Sequence, residues 1–136
     1  MNESYTIQIV TPSGEVFSKE GITFAKLPGF SGEIGVLPNH SHTVAQLIPG
    51  EMILKQDETE SYFFISKGIA HITHSRVILF SSYVEAKREI DSDRARKAKE
   101  RASKYLQSKD RSIDKDRARH ALNRAQSRLA IKKAGD

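Results

Sequence analysis

The side chains best equipped for chemistry sit in the last third of this 136-residue chain, where one thirteen-residue pattern is written twice. The copies are IDSDRARKAKERA, from Ile90 to Ala102, and IDKDRARHALNRA, from Ile113 to Ala125. Nine positions coincide, which predicts the same local structure for both. Each copy interleaves aspartates with arginines. An arginine stays charged, and its planar fork donates paired hydrogen bonds to carboxylate or phosphate oxygens. Residues 1–87 hold six Lys/Arg and nine Asp/Glu, net −3, whereas residues 88–136 hold sixteen and eight, net +8, which together give the chain's +5. So basic a segment suits nucleic acid, an acidic protein surface or a phosphate ligand, and charge by itself does not choose among them.

No catalytic constellation accompanies it. Gly29, Gly32 and Gly35 form GxxGxxG, but Val36-Leu37-Pro38 follows where a dinucleotide-binding turn would open a helix, and there is no GxxxxGK[ST] loop. These glycines read as turn residues. His40 and His42 are two apart, His71 and His74 fall on opposite faces of a strand, and neither pair has a third ligand at metal-binding spacing. Glu58 and Glu60 lie in an apparent turn, where solvation accounts for them without general acid–base chemistry. No serine occupies a GxSxG elbow. With no cysteine there is neither a disulfide framework nor a thiolate metal site, which fits a reducing compartment.

The elements that must position these charges are two helices. Asp91 and Asp114 stand as N-caps, accepting from first-turn N–H groups and offsetting the helix dipole. Ile90 and Ile113 precede them, each placed to pack on Ala95 or Ala118 as a small hydrophobic staple. Apolar stripes continue at helical spacing through Ala95, Ala98, Ala102, Tyr105 and Leu106, then Ala118, Ala121, Leu122, Ala125 and Leu129. Two stripes predict an antiparallel pair joined around residues 107–112. Stripes made largely of alanine remove little surface from water, since a buried methylene is worth roughly 0.8 kcal/mol and alanine offers only a methyl. The hairpin is therefore expected to be weakly held, docking and undocking under ligand control.

Residues 5–84 read differently, as short runs rich in Ile, Val, Phe and Tyr cut by Pro12-Ser13-Gly14, Pro28-Gly29 and Pro49-Gly50. Candidate strands are 5–10, 16–17, 22–27, 34–37, 43–48, 52–55, 62–66, 69–73 and 77–84. The fold class is mainly β with an α appendage: an antiparallel β-sandwich over residues 1–84, a hinge at 85–90 and a helical hairpin over 91–136. No stretch of about eighteen apolar residues is present to span a bilayer, so membrane association is expected only through partners.

GEIGVLPNH from Gly32 to His40, preceded by TPSGEVF and followed by IDSDRARKAKERA, resembles the epsilon subunits of bacterial F-type ATP synthases. The resemblance spans essentially the whole chain. It departs from the family pattern at Asn39, where glycine is commoner, at Phe30, and at Ser66-Lys67-Gly68-Ile69, which replaces a more glycine-rich run. It implies a ten-stranded β-sandwich followed by an αα-hairpin, and a rotor component with no reaction of its own. The partners it implies are the gamma subunit and the c ring, with residues 30–42 as rotor contacts, and the alpha and beta subunits through the C-terminal helices. The place it implies is the cytoplasmic face of the cell membrane, peripherally.

In several bacterial relatives the hairpin restrains ATP hydrolysis and binds ATP at I-D-x-x-R-A, which this chain supplies as Ile90, Asp91, Arg94 and Ala95. The resemblance thus implies no required cofactor but ATP as a regulatory ligand, with or without magnesium. Arg94 and Arg101 are two turns apart on the first helix, and Arg124 and Arg128 one turn apart on the second, so antiparallel pairing can gather all four. Glu85 and Asp91 match family positions that face the adenine. The runner-up from a different class is a basic nucleic-acid-binding hairpin. Tyr105 is the one aromatic there, so base stacking has little support and no nucleic-acid partner is expected.

Overall fold

The computed structural model describes residues 3–133. Alternation sets the strands. In β1 (Tyr5–Thr11), Tyr5, Ile7 and Ile9 are buried between half-exposed Thr6, Gln8 and Val10, and β6 (Gly50–Gln56) buries Met52 and Leu54 in the same rhythm. The others are β2 (Gly14–Ile22), β3 (Phe24–Gly29), β4 (Gly32–Val36), β5 (Thr43–Leu47), β7 (Thr59–Ile65), β8 (Gly68–Ile72), β9 (Arg76–Ser81) and β10 (Val84–Ala86). A single turn of 3-10 helix at Lys87–Glu89 leads to α1 (Ser92–Gln107) and α2 (Lys115–Lys133).

The ten strands form one continuous sheet in the order β10-β7-β6-β3-β5-β8-β9-β1-β2, with β4 on β3. The sheet folds at β3, which reaches β5 through the pair Gly29↔Leu47. The result is the expected sandwich, closed around a core from both halves. Across it, the Tyr5 hydroxyl donates to the Val36 carbonyl at 2.7 Å.

Two features depart from the sequence-based expectation. β1 runs parallel to β9, from Thr6↔Arg76 to Val10↔Phe80. These strands are not joined by a hairpin, so nothing in the connection forces them antiparallel. The run 77–84 is also two strands, not one. At Ser81 the chain leaves β8 and β1, and β10 pairs with β7 through Val84↔Ile65. There the Ser66 N–H donates to the Tyr83 carbonyl at 3.0 Å, and the single proton of the buried Ser81 hydroxyl has the Ser66 carbonyl oxygen at 3.2 Å and that of Tyr83 at 3.0 Å as alternative acceptors.

The helix caps are those the repeat predicts. Arg94 N donates to Asp91 Oδ1 and Arg117 N to Asp114 Oδ1, both at 3.1 Å. Ala95, Ala102, Ala118 and Ala125 are buried along the seam. Tyr105 is not part of it, being 45% exposed.

Lys115, the first residue of α2, closes the hairpin by donating to the carbonyls of Tyr105 at 2.7 Å, Leu106 at 3.0 Å, and Ser108. One ammonium thus caps the C-terminal end of α1 and offsets its dipole. Lys115→Met should lower hairpin stability by about 1 kcal/mol, seen as faster amide exchange confined to α1 and α2. Unchanged exchange in both helices would show that the cap contributes nothing.

A candidate ligand site between hairpin and sandwich

The hairpin rests on the sandwich through α2, which packs against β6, β7 and the 3-10 turn. An apolar pin holds it: Ile131, 1% exposed, enters a small cluster with Phe64 and Ile90, and Tyr62 packs alongside. Ile90 is therefore buried, as its place before a cap suggests, but in company with α2 and β7. One turn N-terminal of Ile131 lies Arg128. Its Nε donates to Glu85 Oε1 at 3.1 Å, and its guanidinium sits 4.3 Å above the Phe64 ring and 5.5 Å from that of Tyr83. The other Glu85 oxygen accepts from the Tyr83 hydroxyl at 2.5 Å. Burial first, and then this carboxylate, raise the Tyr83 phenol above its ordinary pKa. Lys132 adds a bond from Nζ to the Lys87 carbonyl at 3.2 Å.

Glu85 is thus a strand residue of β10 paired across the domain boundary, with 15% of its side chain exposed. The sequence-predicted residues divide between this contact and the hairpin. Glu85, Ile90 and Arg128 meet at the docking contact, and Ala95 is in the seam. Asp91 caps α1, while Arg94 and Arg101 are exposed on it. Helix geometry relates the arginines. A residue just before a seam position lies about 100° round the helix from it, and in an antiparallel pair offsets of the same sense share a flank. Arg94 and Arg101 precede Ala95 and Ala102, and Arg124 precedes Ala125, so the three fall on one flank, which Arg128 continues toward the sandwich.

On that side a cavity of about 650 Å³ opens between α2 and the sandwich turns. Arg124 and Arg128 line it from the helix; Phe30, Ile48, Lys67 and Tyr83 line it from the sandwich. Arg94 and Arg101 do not line it. Sequence reading missed Lys67 and Tyr83. They lie in the turns on either side of the β8–β9 pair, and nothing local marks a turn that faces a distant helix. Among the described residues no group of three or more potential ligands could hold a metal ion.

The profile of the ATP synthase delta/epsilon chain β-sandwich domain matches residues 4–87, and that of the same chain's long α-helix domain matches residues 88–134. The chain belongs to the ATP synthase delta/epsilon family. Within the family it is similar to the ATP synthase epsilon chain of Lawsonia intracellularis, 37% identical over 106 residues that cover 78% of this chain and 79% of the relative. It is likewise similar to that of Desulforamulus reducens, 36% identical over 109 residues covering 80% and 82%. Among solved structures it resembles a chain of the Euglena gracilis mitochondrial ATP synthase, in a structure of OSCP, F1 and c ring. The TM-score there is 0.84 at 25% identity, with 93% of this chain and 80% of that chain covered. A Tetrahymena thermophila mitochondrial ATP synthase chain, from the central stalk and c ring, shares the fold at TM-score 0.69 and 12% identity, with 98% of both chains covered. The two family domains meet at residues 87 and 88, inside the 3-10 turn that carries β10 into α1.

Proposed function

We propose that this epsilon-family chain is a non-catalytic rotor subunit of a proton-translocating ATP synthase. In this reading the sandwich joins the gamma subunit to the c ring, and the hairpin regulates ATP hydrolysis by contact with the alpha and beta subunits. The observation that carries the regulatory part is the slightness of the docking contact. One apolar pin at Ile131, the Arg128 guanidinium paired with Glu85 and stacked on Phe64, and the Lys132 bond to the Lys87 carbonyl hold a helix pair whose own buried seam is alanine. An equilibrium of that kind shifts tenfold for about 1.4 kcal/mol of differential binding, within reach of a small ligand or an acidic partner surface.

The sandwich surface supports a protein partner. Val44, Ile69 and Phe80, respectively 70%, 50% and 48% exposed, occupy the outer face of β5, β8 and β9, where Ile69 pairs with Phe80 and Gln46 with Ile69. Phe30 and Leu37, at 67% and 61%, extend apolar exposure into residues 30–42. Contiguous exposed apolar surface on a folded domain marks an interface. No helix among the described residues is long and apolar enough to cross a membrane; in this reading the chain sits peripherally at the cytoplasmic face of the cell membrane, held there by its partners in the complex. Coelution with gamma subunit at moderate salt tests the rotor assignment, and failure to coelute would overturn it.

ATP is the regulatory ligand in this reading. Arg94, Arg101, Arg124 and Arg128 would hold the phosphates; Glu85 and Asp91 would face the adenine, beside Ile90 and Ala95. Glu85 and Arg128 now satisfy each other, so the nucleotide must replace that pair with its own amino group and phosphate. Arg124→Ala should weaken ATP binding by roughly 1 to 3 kcal/mol, the scale of a lost charge-assisted hydrogen bond. Calorimetric titration with and without magnesium measures it, and unchanged affinity in both Arg94→Ala and Arg124→Ala would place the site elsewhere.

A further inference from the structure

The cavity beneath α2 has cations on two walls and no carboxylate in its lining. Lys67 comes from the turn between β7 and β8, and Arg124 and Arg128 come from α2. Glu85 offsets Arg128 from outside the lining. Lys67 is exposed and has no ion pair among the described residues. Docking therefore brings like charges from hairpin and sandwich to one cavity, an arrangement that an anion between them converts from repulsion to attraction. The sandwich wall is also prepared as a donor surface. Ser66 Oγ lies 2.7 Å from Ser81 Oγ and 2.8 Å from Ser82 Oγ, so buried Ser81 holds the Ser66 hydroxyl, which in turn holds that of Ser82, and both Ser66 and Ser82 line the cavity next to Lys67. Lysine ammonium, guanidinium and hydroxyl groups converging from both sides are the donor set of a phosphate site.

We propose that this cavity binds the polyphosphate part of a ligand, with Lys67 and the Ser66 and Ser82 hydroxyls as the sandwich's share of the contacts. A site confined to the hairpin flank would stabilise the helix pair alone. One that includes Lys67 spans hairpin and sandwich, so its binding energy goes into docking, and ligand occupancy and the docked state rise together. The inference deepens the nucleotide reading, on which it rests for the natural occupant, and the phosphate chemistry is tested apart from the base.

The full chain is titrated with inorganic triphosphate and, separately, with ATP, while amide exchange in α2 reports docking. Lys67→Met is compared with Lys104→Met, a lysine on the opposite flank of the hairpin. Triphosphate is expected to protect α2 in the unaltered chain. Lys67→Met should weaken its binding by at least about tenfold and cancel the added protection, and Lys104→Met should change it by no more than about twofold. Equal losses in both variants would reduce the effect to general charge and overturn the proposal, as would no binding of triphosphate at millimolar concentration. ATP binding that depends on Arg94 and Arg124 but not on Lys67 overturns the cavity site and leaves the nucleotide reading standing. Lys67-dependent triphosphate binding with ATP no tighter supports the cavity and removes the case for a nucleotide.

Discussion

Ile131→Ala is expected to free the hairpin from the sandwich without unfolding either. Ile131 is buried in a cluster with Phe64 and Ile90 that is distinct from the sandwich core. Truncating a buried Ile to Ala costs about 2 to 5 kcal/mol. At the lower figure the undocked population rises about thirtyfold. The remaining attachments centre on Arg128, whose side chain is 26% exposed and which pairs with Glu85 and stacks on Phe64 and Tyr83, with Lys132 adding its bond to the Lys87 carbonyl. A partly exposed ion pair and a cation–π contact contribute about 1 kcal/mol each, less than the pin over most of its range. Native-state hydrogen exchange separates the outcomes. Amides of α2 should lose protection while those of β8 and β9 keep theirs. A uniform loss across helices and strands would mean that Ile131 belongs to the global fold and that hairpin and sandwich do not separate as units.

Gly68→Ala is expected to be the more damaging change to the sandwich. Gly68 opens β8 and sits between Leu47 of β5 and Ser81 of β9. A methyl placed there would overlap the Phe80 carbonyl oxygen and come within 3.1 Å of the Ser81 Cα. Both obstacles are backbone, so no rotamer change relieves them, and β8 and β9 must separate along a central ladder. A loss of more than about 3 kcal/mol follows, set against a total stability of roughly 5 to 15 kcal/mol for a domain of this size. Gly14 differs: a methyl there meets nothing within 4 Å, and the obstacle is its φ of 117°. Gly14→Ala should therefore cost less, about 1 to 2 kcal/mol of backbone strain. Urea midpoints for the two variants decide the matter, and an unshifted midpoint for Gly68→Ala would refute the steric account.

What the sequence made legible was local. The alternation of Tyr5, Ile7 and Ile9 and of Met52 and Leu54 declares strands because burial on one face follows the pleat. Asp91 and Asp114 declare helix starts because a cap is made within a few residues of itself. The parts that escaped depend on distant chain. In residues 77–84 two serines interrupt the apolar run, but serines occur within strands too, and nothing local shows that the chain changes partners at Ser81. The union of Glu85 with Arg128, forty-three positions apart, has no local signature. Of the candidate site, the arginines of the repeat could be read from spacing, whereas Lys67 could not, since its role depends on where α2 comes to lie. Ile131 did leave a signal. It stands two residues past Leu129, off the stripe that packs α1, and a large apolar side chain on the outer face of a helix announces a second surface to be covered.

The parallel pairing of β1 with β9 has a consequence in time. On a ribosome, β1 meets β2 at once, but its other edge has no partner until residues 76–80 have emerged, seventy positions after Thr6. At synthesis rates of about 5 to 20 residues per second that interval lasts roughly 3.5 to 14 seconds. Throughout it, the strand carrying Ile7 and Ile9 presents open backbone and apolar side chains that the finished molecule buries completely. The nascent chain's exposure to chaperones and to neighbours of its own kind is therefore set by the arrival of β9, and every strand of the sandwich is made before either helix of the hairpin.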